Sequence, residues 1–273
     1  MINIENFVYD LKVKNEIWHA SEIGEISYPV AGNNSYYDIE DRSFWFKYRN
    51  CIISEVLKKY SINGPIFDVG GGNGFVSYYL TLQGYKVVLV EPCIDGCKNG
   101  RSRGLKNIIN SNFDTAHFYP NSIPNIGVFD VLEHIKNQHC FLETLQTNMI
   151  TNGRLFITVP AIKSLWSEED KQVGHFRRYR IKELHRILEN YGFDVLYSTY
   201  FYSFLVIPIF LFRTIPSKLG FYKINTQKTM RQHLSKNNSV NVLGMLMKSE
   251  LRKVKRSESI YIGSSLILVA RKR

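Results

Sequence analysis

Between residues 65 and 200 the chain alternates short continuous apolar runs with stretches whose apolar residues recur at helical spacing. PIFDV (65–69), KVVLVEP (86–92), IGVFDV (126–131) and GRLFITVP (153–160) are rich in β-branched side chains and end at glycine, proline or polar residues. Such runs predict buried strands. A further short strand is expected around Asn107–Asn110. Val76, Tyr79 and Leu80 share one helical face before Gly84, and a helical stretch is expected near 93–103 and again beyond residue 131. Ile181, Leu184, Ile187, Leu188 and Tyr191 line one face of a helix that Gly192 ends. FDVLYSTY (193–200) is then a sixth strand and SSLILVAR (264–271) the last. This alternation predicts an α/β sheet.

Two regions fall outside the alternation. Residues 1–40 are polar and aromatic with weak periodicity and read as a cap or arm in front of a core that spans 41–204 and closes with 259–273. Residues 205–258 form an insertion before the closing strand. It opens within the uncharged run FYSFLVIPIFLF (201–212), too short to span a bilayer and interrupted by Pro208. That run fits buried core, an interfacial segment or the wall of an apolar pocket.

Charge sharpens the contrast. The chain carries +11 overall, yet residues 205–273 hold 14 basic residues against two acidic ones, whereas the other 204 residues are close to neutral. A patch of this kind suits a polyanion such as a membrane surface, a phosphorylated substrate or nucleic acid, or else a solvated face. With 44% hydrophobic residues and no low-complexity tract, the chain is not of a disordered or fibrous class. Glu5 and Asp10 interrupt any signal-peptide pattern, and four scattered cysteines with no CxxC spacing argue against a disulfide scaffold or a structural zinc site. A cytoplasmic setting is expected, with 201–258 as a candidate contact to the inner face of a membrane.

The strongest chemical signal is FDVGGGNG (67–74), a strand opening through glycines into a helix, which lets main-chain N–H groups approach a ligand closely. A dinucleotide site would need glycine where Phe75 stands, so a dehydrogenase is disfavoured. The spacing is instead Asp68, Gly70, Gly72, Gly74. This resembles motif I of class I S-adenosylmethionine-dependent methyltransferases. FDVLEHI (129–135) and GRLFITVPA (153–161) look like their fourth- and fifth-strand motifs, and SFWFKYR (43–49) and LWSEEDKQVGHFRRY (165–179) resemble segments of a bacterial, ubiquinone-biosynthesis-like small-molecule branch. The resemblance implies a Rossmann-like sheet of order 3-2-1-4-5-7-6 with strand 7 antiparallel and helices on both faces.

It also implies S-adenosylmethionine as cofactor, S-adenosylhomocysteine as product and no metal. Carried over by position, Asp68, Gly70, Gly72 and Gly74 form the cofactor turn and Glu91 binds the ribose. Asp114 is a candidate for the adenine amino group, Asp130 and Leu132 lie beside the sulfur, and Arg49 pairs with the cofactor carboxylate or forms an ion pair of its own.

An oxygen acceptor benefits from a general base of near-neutral pKa. His134 and His175 both fall in loops expected at the ligand-binding edge. His134 also reads as a structural residue at a helix start. His175 has Asp170 five residues before it and Arg177, Arg178 and Tyr179 after it, either an acceptor-binding base site or a polar knot bracing the loop. Trp45, Trp166 and the tyrosines of 28–48 are core or a roof over the cofactor. The expected acceptor is a small molecule, saccharide or lipid-linked compound, anionic in some of these readings. An RNA methyltransferase and a non-catalytic docking module are the alternatives. FDVLEH stands where many amino-nitrogen methylases of bases carry an Asn/Asp-Pro-Pro-aromatic tetrad, which disfavours nucleic acid.

Overall fold

The computed structural model describes residues 2–24, 37–221 and 240–273. Among them, β1 (Leu11–Lys14), β2 (Ile17–Ala20), β3 (Ile66–Val69), β4 (Val87–Val90), β5 (Ile108–Asn110), β6 (Ile123–Phe129), β7 (Met149–Pro160), β8 (Phe193–Phe201) and β9 (Ser265–Lys272) make one sheet. Its order is β1-β2-β5-β4-β3-β6-β7-β9-β8. Strands β3 to β7 pair in parallel, and β9 runs antiparallel between β7 and β8. Counted from β3, this is the expected 3-2-1-4-5-7-6 arrangement of a Rossmann-like methyltransferase fold.

The central strands β3 to β6 are buried throughout and mostly apolar because both faces are covered. In β9, Leu266, Leu268 and Ala270 enter one core while Ile267 and Val269 enter the other, the two-residue period of a pleated strand. On the first face lie α4 (Gln138–Asn148), through Leu142 and Leu145, and α6 (Ile181–Asn190), through Leu184 and Leu188. On the second lie α1 (Phe44–Tyr60), α2 (Phe75–Leu82) and α7 (Val240–Lys255), through Ile52, Leu57, Val76, Leu80 and Val254, while α3 (Ile94–Ser102) joins a smaller cluster with Leu89 and Ile108 through Cys97. Burying each such leucine or isoleucine contributes about 1.5–3 kcal/mol.

Residues 11–20 are not a loose arm. Strands β1 and β2 form a hairpin whose second strand pairs in parallel with β5 at Trp18↔Ile109 and His19↔Asn110, and His19 Nδ1 lies 3.2 Å from Asn110 Oδ1. With four residues per strand and a single buried position, Ile17, the hairpin is too short for its pattern to predict a strand. The rest of that cap, 25–36, lies outside the described residues.

The 201–212 run is mostly helical rather than a continued strand. β8 stops at Phe201, and Tyr202 turns through the left-handed region with φ of 58°. Helical turns then follow over Val206–Ile209, Phe210–Thr214 and Ile215–Lys218. The exit is clamped by Glu250 of α7, a buried carboxylate. It accepts hydrogen bonds from the N–H of Tyr202 (2.7 Å) and Ser203 (2.9 Å), from the Ser203 hydroxyl (2.6 Å) and from the Tyr48 hydroxyl (2.8 Å). Residues 222–239 of the insertion, with Lys223, Lys228, Arg231 and Lys236, lie outside the described residues.

Candidate active site

At the carboxyl end of β3 the chain passes through Gly70, Gly72 and Gly74, all with positive φ (68°, 56° and 69°), before α2 begins. A Cβ on Gly70 would stand 2.9 Å from the Val131 side chain, so only glycine leaves the approach to the next strand open. Glu91, at the end of β4, fastens this turn. Its two oxygens accept the N–H of Gly72 and of Cys93, each at 2.8 Å. Beneath the turn, Asp68 accepts the Ser77 hydroxyl at 2.7 Å on one oxygen, while its buried Oδ1 has no partner. Burial raises the Asp68 carboxyl to about 6, against the opposing effects of Ser77 and Arg49.

Arg49 of α1 reaches over the turn to Asp130, with Nη1 2.6 Å from Oδ2. The Thr158 hydroxyl donates to Asp130 Oδ1 at 3.0 Å, and Asp130 itself sits at a φ of 56° just beyond β6. Arg49 Nε is buried without a partner.

Facing this pair is a second polar assembly. α5 (Glu168–Gln172) starts with a capping box in which Asp170 accepts the Ser167 N–H at 2.9 Å. The same carboxylate accepts His175 Nδ1–H at 2.9 Å and Arg178 through Nε (2.8 Å) and Nη2 (3.0 Å). Burial would raise the Asp170 carboxyl, but the bonds from His175 and Arg178 outweigh it and hold the value at about 2. With Nδ1 committed to Asp170, His175 Nε2 lies 3.9 Å from Glu133 Oε1, and the His134 ring meets that of His175 edge-on at 4.7 Å. Glu133 is buried, its Oε2 has no partner, and burial together with Asp130 pushes its carboxyl well above the usual range. Burial and then His175 lower His134 to about 4.

These groups line one cavity of about 790 Å³. Small-molecule sites span about 300–1,000 Å³. Of the residues the sequence singled out, Trp45, Arg49, Gly70, Gly72, Asp114, Asp130, His134, Asp170, His175 and Arg178 reach its wall. The others do not. Asp68 and Glu91 sit behind the turn and shape it. Gly74 serves packing, since a Cβ there would meet Leu105 at 2.6 Å and the Gly100 backbone at 3.1 Å. Leu132 points into the core, because the 3-10 turn Leu132–His134 sends its side chain away from Glu133 and His134. Tyr179 is buried, with its hydroxyl on Gln138 Oε1 (3.0 Å) and the Leu132 carbonyl (3.3 Å), and Arg177 turns outward to the Lys136 carbonyl (2.9 Å). Neither of those two reaches the cavity, and Arg178 is committed to Asp170.

The wall also uses residues to which the sequence assigns no role. Glu133, inside FDVLEHI, faces the cavity beside His134. Trp45 stacks on Tyr202 at 4.0 Å, and both line the cavity with Ile209 and Arg213 of the insertion. Trp166 is not on the cavity wall among the described residues, and Tyr28 and Tyr36 lie outside them.

Residues 46–198 match a family model described as a methyltransferase domain. No curated protein matches the chain in sequence. Among solved structures it is similar to Haemonchus contortus phosphoethanolamine N-methyltransferase 2 in complex with S-adenosyl-L-methionine (TM-score 0.56, 16% identity), covering 89% of this chain. The chain spans 57% of the length of that enzyme. It is also similar to a Thermotoga maritima S-adenosylmethionine-dependent methyltransferase, a possible histamine N-methyltransferase (TM-score 0.53, 14% identity, covering 89% of this chain and 96% of that one). A third is Streptomyces coelicolor geranyl diphosphate C-methyltransferase in complex with Mg²⁺, geranyl diphosphate and S-adenosyl-L-homocysteine (TM-score 0.51, 12% identity, covering 81% and 78%). At these identities the likeness is one of fold.

Proposed function

The chain belongs to the methyltransferase-domain family of class I S-adenosylmethionine-dependent enzymes, and from that premise we propose that it methylates an oxygen of a small-molecule, saccharide or lipid-linked acceptor, with His175 as general base. The observation that carries this reading is the Asp170–His175 pair, which shares a cavity with the glycine turn and Arg49.

The residues present fit the cofactor. The glycine turn is a cradle that a Cβ at Gly70 would fill, and unpartnered buried atoms of Asp68 and Arg49 flank it. Gly70, Gly72 and Asp130 would hold the methionine and ribose parts, with Asp68 and Glu91 bracing the turn from behind and Asp114 at the adenine end. Arg49, anchored on Asp130 through Nη1, keeps its remaining N–H groups for the carboxylate. When bound, the cofactor supplies an electrophilic methyl carbon on a sulfonium and leaves as the neutral thioether.

The protein's share is alignment and the handling of one proton. Asp170 holds His175 with Nδ1 as donor, which leaves the Nε2 lone pair turned toward the cavity. With an acceptor hydroxyl placed beside it, Nε2 would take the hydroxyl proton as the oxygen is methylated. The resulting imidazolium is stabilised by Asp170, which stays ionised at neutral pH. Neutral His134 against the His175 ring spares the imidazolium a like-charged neighbour in direct contact.

The test is a thermal shift with S-adenosylhomocysteine beside NAD, followed by transfer of labelled methyl from S-adenosylmethionine into lipid and saccharide extracts. At a hundred times its dissociation constant, the homocysteine compound stabilises by about 2.7 kcal/mol. His175→Ala is expected to keep that shift and to lower methyl incorporation by about 10²-fold or more. No shift in a folded sample, or unchanged incorporation in the variant, overturns the reading.

A further inference from the structure

The helical segment 206–218 has two unlike faces. Its inner side is fixed to α5 and the turn before it. Ile209 is buried, the Thr214 hydroxyl donates to the Leu165 carbonyl at 3.2 Å, Arg213 pairs with Glu169 at 2.6 Å, and Ser217 Oγ accepts the Glu168 N–H at 2.9 Å. Its outer side carries Ile207, Leu211 and Phe212, with Ile207 70% and Phe212 73% exposed, and Leu219 and Phe221 continue the run in the open. Tyr261 and Ile262 are exposed as well, in the loop that leads into β9. These groups leave the sheet at one place, because Phe201 at the end of β8 is paired with Ser265 at the start of β9. Ile209, Arg213, Ser264 and Ser265 belong to the cavity wall, so the exposed apolar groups sit on the same segments that build that wall.

Single exposed apolar residues are ordinary, but a cluster of this size marks an interaction surface. The charge of the same quarter of the chain specifies the partner. Lys218, Lys248, Arg252 and Lys253 are exposed, and residues 205–273 carry 14 basic residues against two acidic ones, of which Glu250 is buried. No helix among the described residues is long and apolar enough to cross a membrane. Apolar side chains flanked by basic ones on a short helix fit the boundary between headgroups and acyl chains.

We propose that the outer face of 206–221, together with the 261–262 turn, docks the protein on an anionic lipid bilayer and presents the cavity entrance to an acceptor carried in that bilayer. The placement of the acceptor rests on the function proposed above, whereas the docking surface stands on its own. The apolar side chains enter the bilayer surface, the basic residues meet its phosphates, and the acceptor reaches His175 without crossing bulk water.

The test is flotation of the full chain with vesicles of phosphatidylcholine alone or mixed with phosphatidylglycerol, with the S-adenosylhomocysteine thermal shift read on the same samples. The protein is expected to float with the anionic vesicles and much less with the neutral ones. Ile207→Glu combined with Phe212→Glu is expected to lower the floated fraction by about tenfold or more while leaving the thermal shift intact. Leu82→Glu, at an exposed apolar position of α2, is expected to float like the parent. Failure of the parent to float, flotation of the double variant at the parental level, or an equal loss in Leu82→Glu overturns the docking surface. Loss of the thermal shift in the parent counts against the cofactor reading instead, so the two failures are distinguishable.

Discussion

The glycine turn at one end of the cavity and the Asp170–His175 assembly at the other are stabilised by different means. The turn is tied to neighbouring elements of the sheet: Glu91 beyond β4 ties Gly72 to Cys93, Gly70 packs under Val131 beyond β6, and Asp68 reaches Ser77 on α2. The opposite wall is bonded within one loop, where Asp170 holds Ser167, His175 and Arg178, all within eight residues of it. A turn of the first kind keeps its shape for a constant ligand. A wall of the second kind can be re-cut by changing loops, which suits the part of an enzyme that meets the variable partner.

The largest expected effect attacks the distant wall. Asp170→Ala strands the buried Arg178 guanidinium and frees the His175 ring, and should cost about 3–5 kcal/mol in a urea melt. A loss below about 1 kcal/mol would mean that the loop is braced by its apolar contacts instead. Next is the near end. The folded Asp68 carboxyl is raised from 3.8 to about 6, so its stability cost is absent below about pH 4, grows between the two values and is complete above the upper one. Asp68→Asn should therefore match the parent near pH 4 and exceed it by about 2–3 kcal/mol at pH 8, while losing the S-adenosylhomocysteine shift. An unchanged difference across that range would show that Asp68 is ionised in both states. The smallest effect separates backbone strain from site geometry. Gly70→Ala and Gly84→Ala both place a side chain at positive φ, at about 1–2 kcal/mol each, but a Cβ at Gly84 meets nothing within 4 Å. Both should melt earlier, and the Gly70 variant alone should lose the ligand shift.

The near end could be read in the sequence because its information is local: a strand, a glycine spacing and an acid at the end of the next strand. The strands themselves showed in the alternation, while their order came only with the resemblance to class I methyltransferases. The far wall resisted for a physical reason. A motif such as FDVLEHI fixes the course of the chain, but the 3-10 turn over Leu132–His134 decides which side chains face the cavity, so Glu133 and His134 enter while Leu132 does not. Likewise the run His175–Tyr179 was visible as a polar cluster. Only packing shows that Asp170 consumes Arg178, that Tyr179 is core, and that Arg177 faces outward. Tyr202 lies in the apolar run 201–212, for which a pocket wall is one of three readings, and Arg213 lies in the insertion, where no motif marks it.

The hairpin added beside β5 has a consequence for the company the protein keeps in a crowded solution. An open sheet edge is a template on which another chain can lay a strand and begin to aggregate. Here the strand at that edge is β1, four residues long, with exposed Lys12 and Lys14 that would bring like charges together in any stack of copies. The other edge, β8, shifts register between Val195 and Tyr197, and such an irregularity spoils a straight docking line. A nine-stranded sheet is thereby left with two poor ends for self-recognition.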